Sequence, residues 1–457
     1  MTKKINRLRL AGIVLPLLFC SFSMHAQESS LDKYIEKGLA DNLVLQQKNV
    51  DVKKAWYSLK NAESLFLPTV SFQASYQTGA GGRSISLPVG DLMNPIYTTL
   101  NQLTGSEKFS SIKNIDQDFL PTNFYDAKIR TSVPIINTDL KYNRQIAQEK
   151  IECQQYEVEG YKLELVRDIK VAYYTYFSAL KVISIYENAL VLANENMRTN
   201  ERLLQNGKGL PSYVLRSKSE LENIQSRITE ARKAAENATL YFNFLLNRNT
   251  KDSIEISANV SREFDDAVSL VLLPPDISNR PELKALSEVV KIQGTVTRMN
   301  EHYWVPKLNG FIDMGSQGQQ FRVNSRSRYY NAGVQLEIPL FTGKRNLIKI
   351  QQAQLDKKLA ALNLDHASQQ IALAAATIKN NLAAVYQTYQ SSIKSAESAA
   401  SYQRLIERGF KEGINTFIED IDARNLLTTA QLQVNISQYN VLITAANLER
   451  ETGSLKK

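Results

Sequence analysis

The chain has 457 residues, 55 Lys+Arg against 46 Asp+Glu, three His and two Cys, for a formal charge of +9 and 43% hydrophobic residues. Its 19 Gly and 12 Pro exclude collagen-like and linker-rich chains, and the ordinary apolar fraction excludes disorder along the whole length. Four of the positive charges (Lys3, Lys4, Arg7 and Arg9) fall in residues 1–26, which contain no acidic residue. An apolar run over 10–22 and a small residue at Ala26 follow, so 1–26 reads as a secretory signal peptide. Removing it takes four from the +9 and leaves +5, which is no argument for a nucleic-acid partner. Cys20 would be a lipidation site if a lipobox preceded it, but bulky Phe19 stands where a small residue is wanted. With Cys20 gone, Cys153 is the sole thiol and no intramolecular disulfide is possible. No later apolar stretch approaches the ~20 residues of a membrane-spanning helix, the best being 371–378. Entry into a membrane would be by strands.

The chain repeats itself. Placing Pro68 over Pro306 sets Leu45 on Leu283, Phe66 on Trp304 and Val70 on Leu308. Tyr125 to Ile136 then lies over Tyr330 to Phe341, and Gly209-Leu210-Pro211-Ser212-Tyr213 over Gly413-Ile414-Asn415-Thr416-Phe417. Three anchors in one order predict two copies of one unit, 27–248 and 278–457, joined by 249–277, with the extra residues of the first copy between Val70 and Tyr125.

In chain order, a helix is expected over 31–65, then a strand alternating Val70, Phe72, Ala74 and Tyr76 with Ser71, Gln73 and Ser75. Residues 78–123, rich in Gly, Ser, Asn and Pro, are expected to form a long loop. Its Gly79-Ala80-Gly81-Gly82 run has no following helix and no P-loop lysine, so it is flexible chain rather than a phosphate cradle. A second strand sets Tyr125, Ala127, Ile129 and Val133 against Asp126, Lys128, Arg130 and Ser132. Residues 139–206 contain no proline and one glycine, and at 1.5 Å per residue predict a rod of about 100 Å. Its stripe of Leu163, Val166, Ile169, Tyr173, Phe177, Leu180 and Ile183 marks a packing face. A turn at Gly209 returns the chain as a helix over 212–248, with Pro211 near its start.

The second copy repeats the order: helix over 278–303, strand with Leu308, Ile312 and Met314 where Phe311 breaks the alternation, loop 316–328, strand with Ala332, Val334, Leu336 and Ile338. A rod over 344–408 and a return helix over 415–452 complete it, with Ala- and Gln-rich stretches such as 351–361 permitting close neighbours. The alternation fits either a soluble sheet over a core or a barrel with lipid outside and water inside. Strand lengths near ten residues and aromatic residues at the strand ends (Phe66, Tyr76, Phe124, Tyr125, Tyr303, Trp304, Tyr329, Tyr330, Phe341) favour the barrel. Four strands cannot close one, since at least eight are needed. Two copies would supply eight and three would supply twelve.

The duplicated helix-strand-strand-helix-helix unit, the Leu-Pro and Val-Pro strand entries and the turn from Glu412 to Ala423 together resemble the TolC outer-membrane efflux family over essentially the whole mature chain. The resemblance implies a mainly α fold with a β-barrel portion. Long helical hairpins would form a periplasmic α-barrel, and four transmembrane strands per protomer a twelve-stranded barrel in a homotrimer. It implies residence in the outer membrane of a Gram-negative bacterium, contact with outer-membrane lipid, and work with a periplasmic adaptor and an inner-membrane transporter. The duct would serve tripartite efflux or type I secretion, with no nucleic acid and no cofactor.

Carried over residue by residue, Gly413 matches the glycine of the family's second turn, Thr416 its second threonine, and Glu419 and Asp422 its two acidic positions. The last two would line the periplasmic aperture, with Asp420 beside them. Three apart on a helix places Glu419 and Asp422 on one face, and crowding of six carboxylates in a trimer would raise their pKa values. The alternative for all three is an acidic first turn favoured by the helix dipole. Asn415 stands where the archetype has arginine, and Leu215 where it has an acidic partner, so that lock is absent here. The turns Gly209, Leu210, Pro211, Ser212 and Gly413, Ile414, Asn415, Thr416 are the expected adaptor-docking surface, although hairpin chemistry alone also asks for glycine and a capping residue. His302 and His366 are far apart with no Cys cluster, so no metal site of ordinary spacing is expected, and no nucleophile elbow or other enzymatic constellation appears. A periplasmic coiled-coil adaptor or scaffold would also have long helices, but leaves four amphipathic strands unexplained.

Overall fold

The computed structural model describes residues 30–120, 122–255 and 260–454; the signal peptide assigned to 1–26, and Cys20 with it, lies outside them. The elements run α1 (Ser30–Asp41), α2 (Leu43–Ser64), β1 (Thr69–Gln77), β2 (Ser84–Leu87), α3 (Val89–Thr104), β3 (Ile115–Asp118), β4 (Phe124–Ile136), α4 (Thr138–Gln205), α5 (Pro211–Leu245), α6 (Val260–Ser269), α7 (Pro281–Glu301), β5 (Lys307–Gln319), β6 (Arg328–Glu337), α8 (Arg345–Lys411) and α9 (Phe417–Thr452). The two rods are continuous helices of 68 and 67 residues. In α4 an 18-residue window reaches a mean hydropathy of 1.2, yet Ile169, Tyr173 and Phe177 of its predicted stripe are buried in the protein interior.

Three expectations are corrected. The helix expected over 31–65 is interrupted at Asn42, which is buried and donates its side-chain amide to the Leu245 carbonyl at 3.0 Å. The loop expected over 78–123 contains the antiparallel β2–β3 ribbon and the 16-residue helix α3. Its polar and glycine residues are used as local connectors rather than as slack. The loop expected over 316–328 shrinks to a turn at 320–327, because β5 continues to Gln319 and Ser327 and Asn324 bond across the turn.

The chain forms two compact units, each drawing on both predicted copies. The first comprises α1, α5, α6, the part of α4 from Leu165, the part of α8 from Leu382 and α9 as far as Ala446. Its centre is aromatic: Tyr34 meets Phe242 edge-on at 5.1 Å, and Tyr173 meets Phe177 at 4.5 Å. Gly38 lies so close to Ile169 that a Cβ there would collide with it. Full burial of groups such as Phe242, Leu246, Val441 and Leu442 is worth roughly 1.5–3 kcal/mol for each aliphatic or aromatic side chain.

The second unit comprises α2, the sheet, the β2–β3 and α3 segment, α7 and the remaining parts of α4, α8 and α9. In this unit α8 buries alanines, Ala353, Ala360 and Ala375, and leaves Ile348, Leu355, Leu359, Leu362 and Leu373 exposed. Small residues inside allow close approach, and Thr297 on α7 donates its hydroxyl to the Ala353 carbonyl at 3.2 Å. The chain end is secured by charge. Arg280 is buried before α7 and donates to the Arg450 carbonyl, to Glu451 at 3.2 Å and to Glu282 at 2.8 Å. Breaking a buried pair by removing one partner typically costs about 3–5 kcal/mol. Arg280→Ala is therefore expected to lower the urea midpoint and to release hydrogen-exchange protection over the last turn of α9. An unchanged midpoint would show that this cluster is not a structural tie.

Candidate functional site

The four long strands form one antiparallel sheet in the order β1-β4-β5-β6. The pleat sends alternate side chains to opposite faces, and the register lines up one cross-strand row: Phe72 opposite Ile129, Ile129 opposite Met314, Met314 opposite Tyr330. These four are 71%, 52%, 62% and 82% exposed. Val70, Ile312, Val334 and Leu336 share their face and are exposed too. The other face is polar and internally neutralised. Arg130 holds Asp313 through two parallel bonds of 2.7 and 2.8 Å, Lys128 lies 3.3 Å from Asp126, and the Tyr329 hydroxyl donates to Asp126 at 2.7 Å.

A soluble sheet packed on its own core would bury the apolar face, whereas here that face is exposed. Phe311, which broke the predicted alternation, sits on the polar face beneath the Arg130 guanidinium at 5.2 Å. It packs over Gly333, where a Cβ would come within 3.0 Å of the ring. Among the described residues β1 and β6 each have a strand neighbour on one side only. At the end where β1 leads to β4 and β5 leads to β6, Phe321 stacks on Tyr76 and Tyr125 at 5.3 and 5.6 Å.

The predicted docking residues occupy the two helical turns of the first unit. In the α4–α5 turn the chain reverses at Gly207 with a φ of +69°, and Lys208 donates its N–H to the Leu203 carbonyl at 2.8 Å. Gly209 is required by space, since a Cβ would lie 2.7 Å from the Leu204 nitrogen. Leu210 precedes α5 in extended conformation with its side chain exposed, Pro211 opens the helix and Ser212 is exposed. In the α8–α9 turn Gly413 has a φ of +76°, and both Ile414 and Asn415 donate their N–H groups to the Gly409 carbonyl. Ile414 is exposed like Leu210, and buried Phe417 meets Tyr213 at 4.9 Å, which brings the two turns together.

The three aperture candidates have different environments. Thr416 and Glu419 form a capping box: the Thr416 N–H donates to Glu419 at 2.6 Å and the Glu419 N–H to the Thr416 hydroxyl at 3.3 Å. Asn415 adds a bond of 3.3 Å to the same carboxylate oxygen. The backbone bond from Thr416, then the side-chain bonds from Asn415 and Thr416, hold Glu419 below the usual glutamate range within the chain. Glu419 and Asp422 are both exposed.

Asp420 is a correction. It is fully buried, accepting from Arg424 at 2.9 Å and from Asn196 on α4 at 3.2 Å, and cannot face an aperture. Asn196 and Arg424 are what the sequence reading missed. The i,i+4 spacing of Asp420 and Arg424 was a legible signal, whereas the α4 partner lies 224 residues away. Beside this link a cavity of about 120 Å³ opens between α4, α5 and α9, lined by Asn196, Ser217 and Arg424. Leu215 is exposed, so the position where the archetype has an acid is apolar in the fold as well. Tyr142 on α4 lies 3.3 Å from the His302 ring nitrogen, and among the described residues no group of three His, Cys, Asp or Glu side chains gathers as a metal site.

Asp420→Ala leaves Arg424 and Asn196 without their acceptor and is expected to destabilise the first unit by about 3 kcal/mol in urea unfolding. Glu419, with a lowered folded pKa, stabilises the α9 cap fully above about pH 4.5 and loses that contribution as pH falls through its own pKa. Hydrogen-exchange protection of the first α9 amides should therefore hold down to that range and fail below it. Failure near neutral pH would contradict the cap.

The outer membrane efflux protein family model matches residues 34–248 and 277–454. The chain is 19% identical to outer membrane protein TolC of Escherichia coli K12 over 466 residues, covering 98% of this chain and 87% of that one. It is 21% identical to the alkaline protease secretion protein AprF of Pseudomonas aeruginosa over 358 residues, 74% of this chain and 72% of that one. A match of 25% identity to TolC of Vibrio cholerae is confined to 33% of this chain and 35% of that protein. Among solved structures, VceC of Vibrio cholerae superposes with a TM-score of 0.73 at 14% identity, over 94% of this chain and 97% of that one. The CmeC channel of Campylobacter jejuni does so at 0.71 and 14%, over 93% and 85%. With the family model spanning both helical hairpins and all four long strands, the chain belongs to the outer membrane efflux protein family and is an outer-membrane protein.

Proposed function

We propose that three copies join their sheets edge to edge into a twelve-stranded barrel in the outer membrane, continued by a helical barrel in the periplasm, and that the assembly is a passive export duct. The observation that carries this is the sheet itself: an exposed apolar face, an ion-paired polar face and two open edges. Lipid accepts the first and a water-filled lumen the second. Open edges do not survive in hydrocarbon, where each unsatisfied backbone group costs several kcal/mol, so β1 of one copy pairs with β6 of the next.

The helices support the same assembly. On α8 the exposed Ile348, Leu355, Leu359, Leu362 and Leu373 follow a 3.5-residue spacing, the seam of a helix that packs on another helix. The succession of helix, two sheet strands, long rod and return helix occurs in both halves, with β2, α3 and β3 inserted only in the first, and supports two structural repeats over 27–248 and 278–457. The duct serves a tripartite efflux or type I secretion system, receiving cargo from an inner-membrane transporter through a periplasmic adaptor. AprF, by its name a protein-secretion component, and TolC support that range. Leu210 and Ile414, exposed at adjacent turns, supply the apolar contacts of the adaptor-docking surface, and Glu419 and Asp422 line the periplasmic aperture. The duct has no catalytic role of its own.

Purified protein in planar bilayers is expected to give single-channel conductance, and its mass in detergent to be that of a trimer. A non-conducting monomer would overturn the duct and favour a periplasmic scaffold. Glu419→Gln combined with Asp422→Asn should weaken block of that conductance by divalent cations applied from the periplasmic side. Unchanged block would remove both residues from the aperture.

A further inference from the structure

The segment between β1 and β4 is built rather than slack. On one face of α3, Asn94 donates its side-chain amide to the Ile112 carbonyl at 2.9 Å and accepts from the Ile112 N–H at 2.7 Å. One heptad on, Asn101 does the same with the carbonyl and N–H of Phe109 at 2.8 and 3.1 Å. Asp91 and Asn114 add a third two-way link at 3.2 and 3.0 Å, and the helix ends on Gly105 in left-handed conformation. The returning chain thus covers the polar face of α3.

The opposite face is apolar and uncovered. Leu92, Ile96 and Leu103 are 68%, 51% and 78% exposed, and with exposed Thr99 they step by four, three and four residues. That is the a/d spacing of a seam that packs against another helix. A lipid surface is a poor occupant, because interfacial helices carry Lys and Arg to meet anionic headgroups. The only charged residue of α3 is Asp91. The register places the β1–β4 and β5–β6 connections at one end of the sheet, since Phe124 pairs with both Gln77 and Gln319. Among the described residues there, α3 is the sole helix, so the one helical seam a sister copy presents at that end is its own α3.

We infer that the α3 helices of three copies pack their Leu92, Ile96, Thr99 and Leu103 seams on one another and close the extracellular mouth of the duct. The inference rests on the trimeric barrel proposed above. The β1 strand that leads into α3 is an open sheet edge, where a neighbouring copy must join. Two heptads are too short to associate alone, but three copies held by one barrel meet at high effective concentration. A seam this short also opens readily.

The test uses full-length protein with Thr99→Cys in a Cys153→Ser background, so that each copy has one thiol after signal removal. Oxidation of the purified trimer should yield a disulfide-linked dimer on denaturing gels, and adding Ile96→Glu should abolish it while leaving the trimer mass unchanged. A trimer that forms no dimer, or one whose dimer persists with Ile96→Glu, overturns the inference and leaves the duct intact. A fluorophore attached to the thiol of the Thr99→Cys variant that shifts to the blue only when vesicles are added would assign the face to lipid and also overturn it. A monomeric mass before oxidation would overturn the barrel itself.

Discussion

Everything in this protein depends on a sheet that cannot be satisfied within its own chain. The Arg130–Asp313 pair and the Lys128–Asp126 pair neutralise one face internally, while Phe72, Ile129, Met314 and Tyr330 leave the other face apolar and uncovered. In water this is the wrong way round, since the hydrophobic contribution of four large side chains is forgone. Between lipid and a wet lumen the same arrangement would be favourable, and in the assembly proposed above sister chains would pair the open edges of β1 and β6.

The helices obey a related rule. In the second unit α8 buries Ala353, Ala360 and Ala375 and leaves Leu355, Leu359, Leu362 and Leu373 exposed, which reverses the usual amphipathic pattern there. Close intramolecular packing there uses small side chains, and the larger apolar ones stay exposed. At the helical turns the chemistry is local: glycines at positive φ reverse the chain, and the Thr416–Glu419 capping box satisfies the Thr416 N–H and one orphan N–H of α9, that of Glu419. Glu419 thus combines an exposed position with a structural duty, since the bonds from Thr416 and Asn415 to its carboxylate favour the charged form.

Much of the fold was legible because the periods are clean. Two-residue alternation identified all four long strands, and long proline-free runs identified both rods. Phe311 looked like an error in the pattern because its compensation, the Arg130 guanidinium and the space above Gly333, comes from other strands. Residues 78–123 looked like loop because Asn, Gly and Pro are turn formers by propensity. In the fold Asn94 and Asn101 instead pair with backbone 18 and 8 residues away. Asp420 looked like its neighbours Glu419 and Asp422, and only its position on the helix surface facing α4 separates them.

The sequence by itself determined the four long strands, the two rods, the polarity of each long-strand face and the family resemblance, because these follow from local periodicity and from spacing along the chain. Only the tertiary structure decided which carboxylates are free and which are buried, where the long helix breaks at Asn42, and that the segment after β1 folds into a helix with an uncovered seam. Those outcomes depend on groups brought together across hundreds of residues, as Asn196 meets Asp420 and Asn42 meets Leu245. Burial and pairing are properties of the neighbours a side chain acquires, and periodicity along the chain does not contain them.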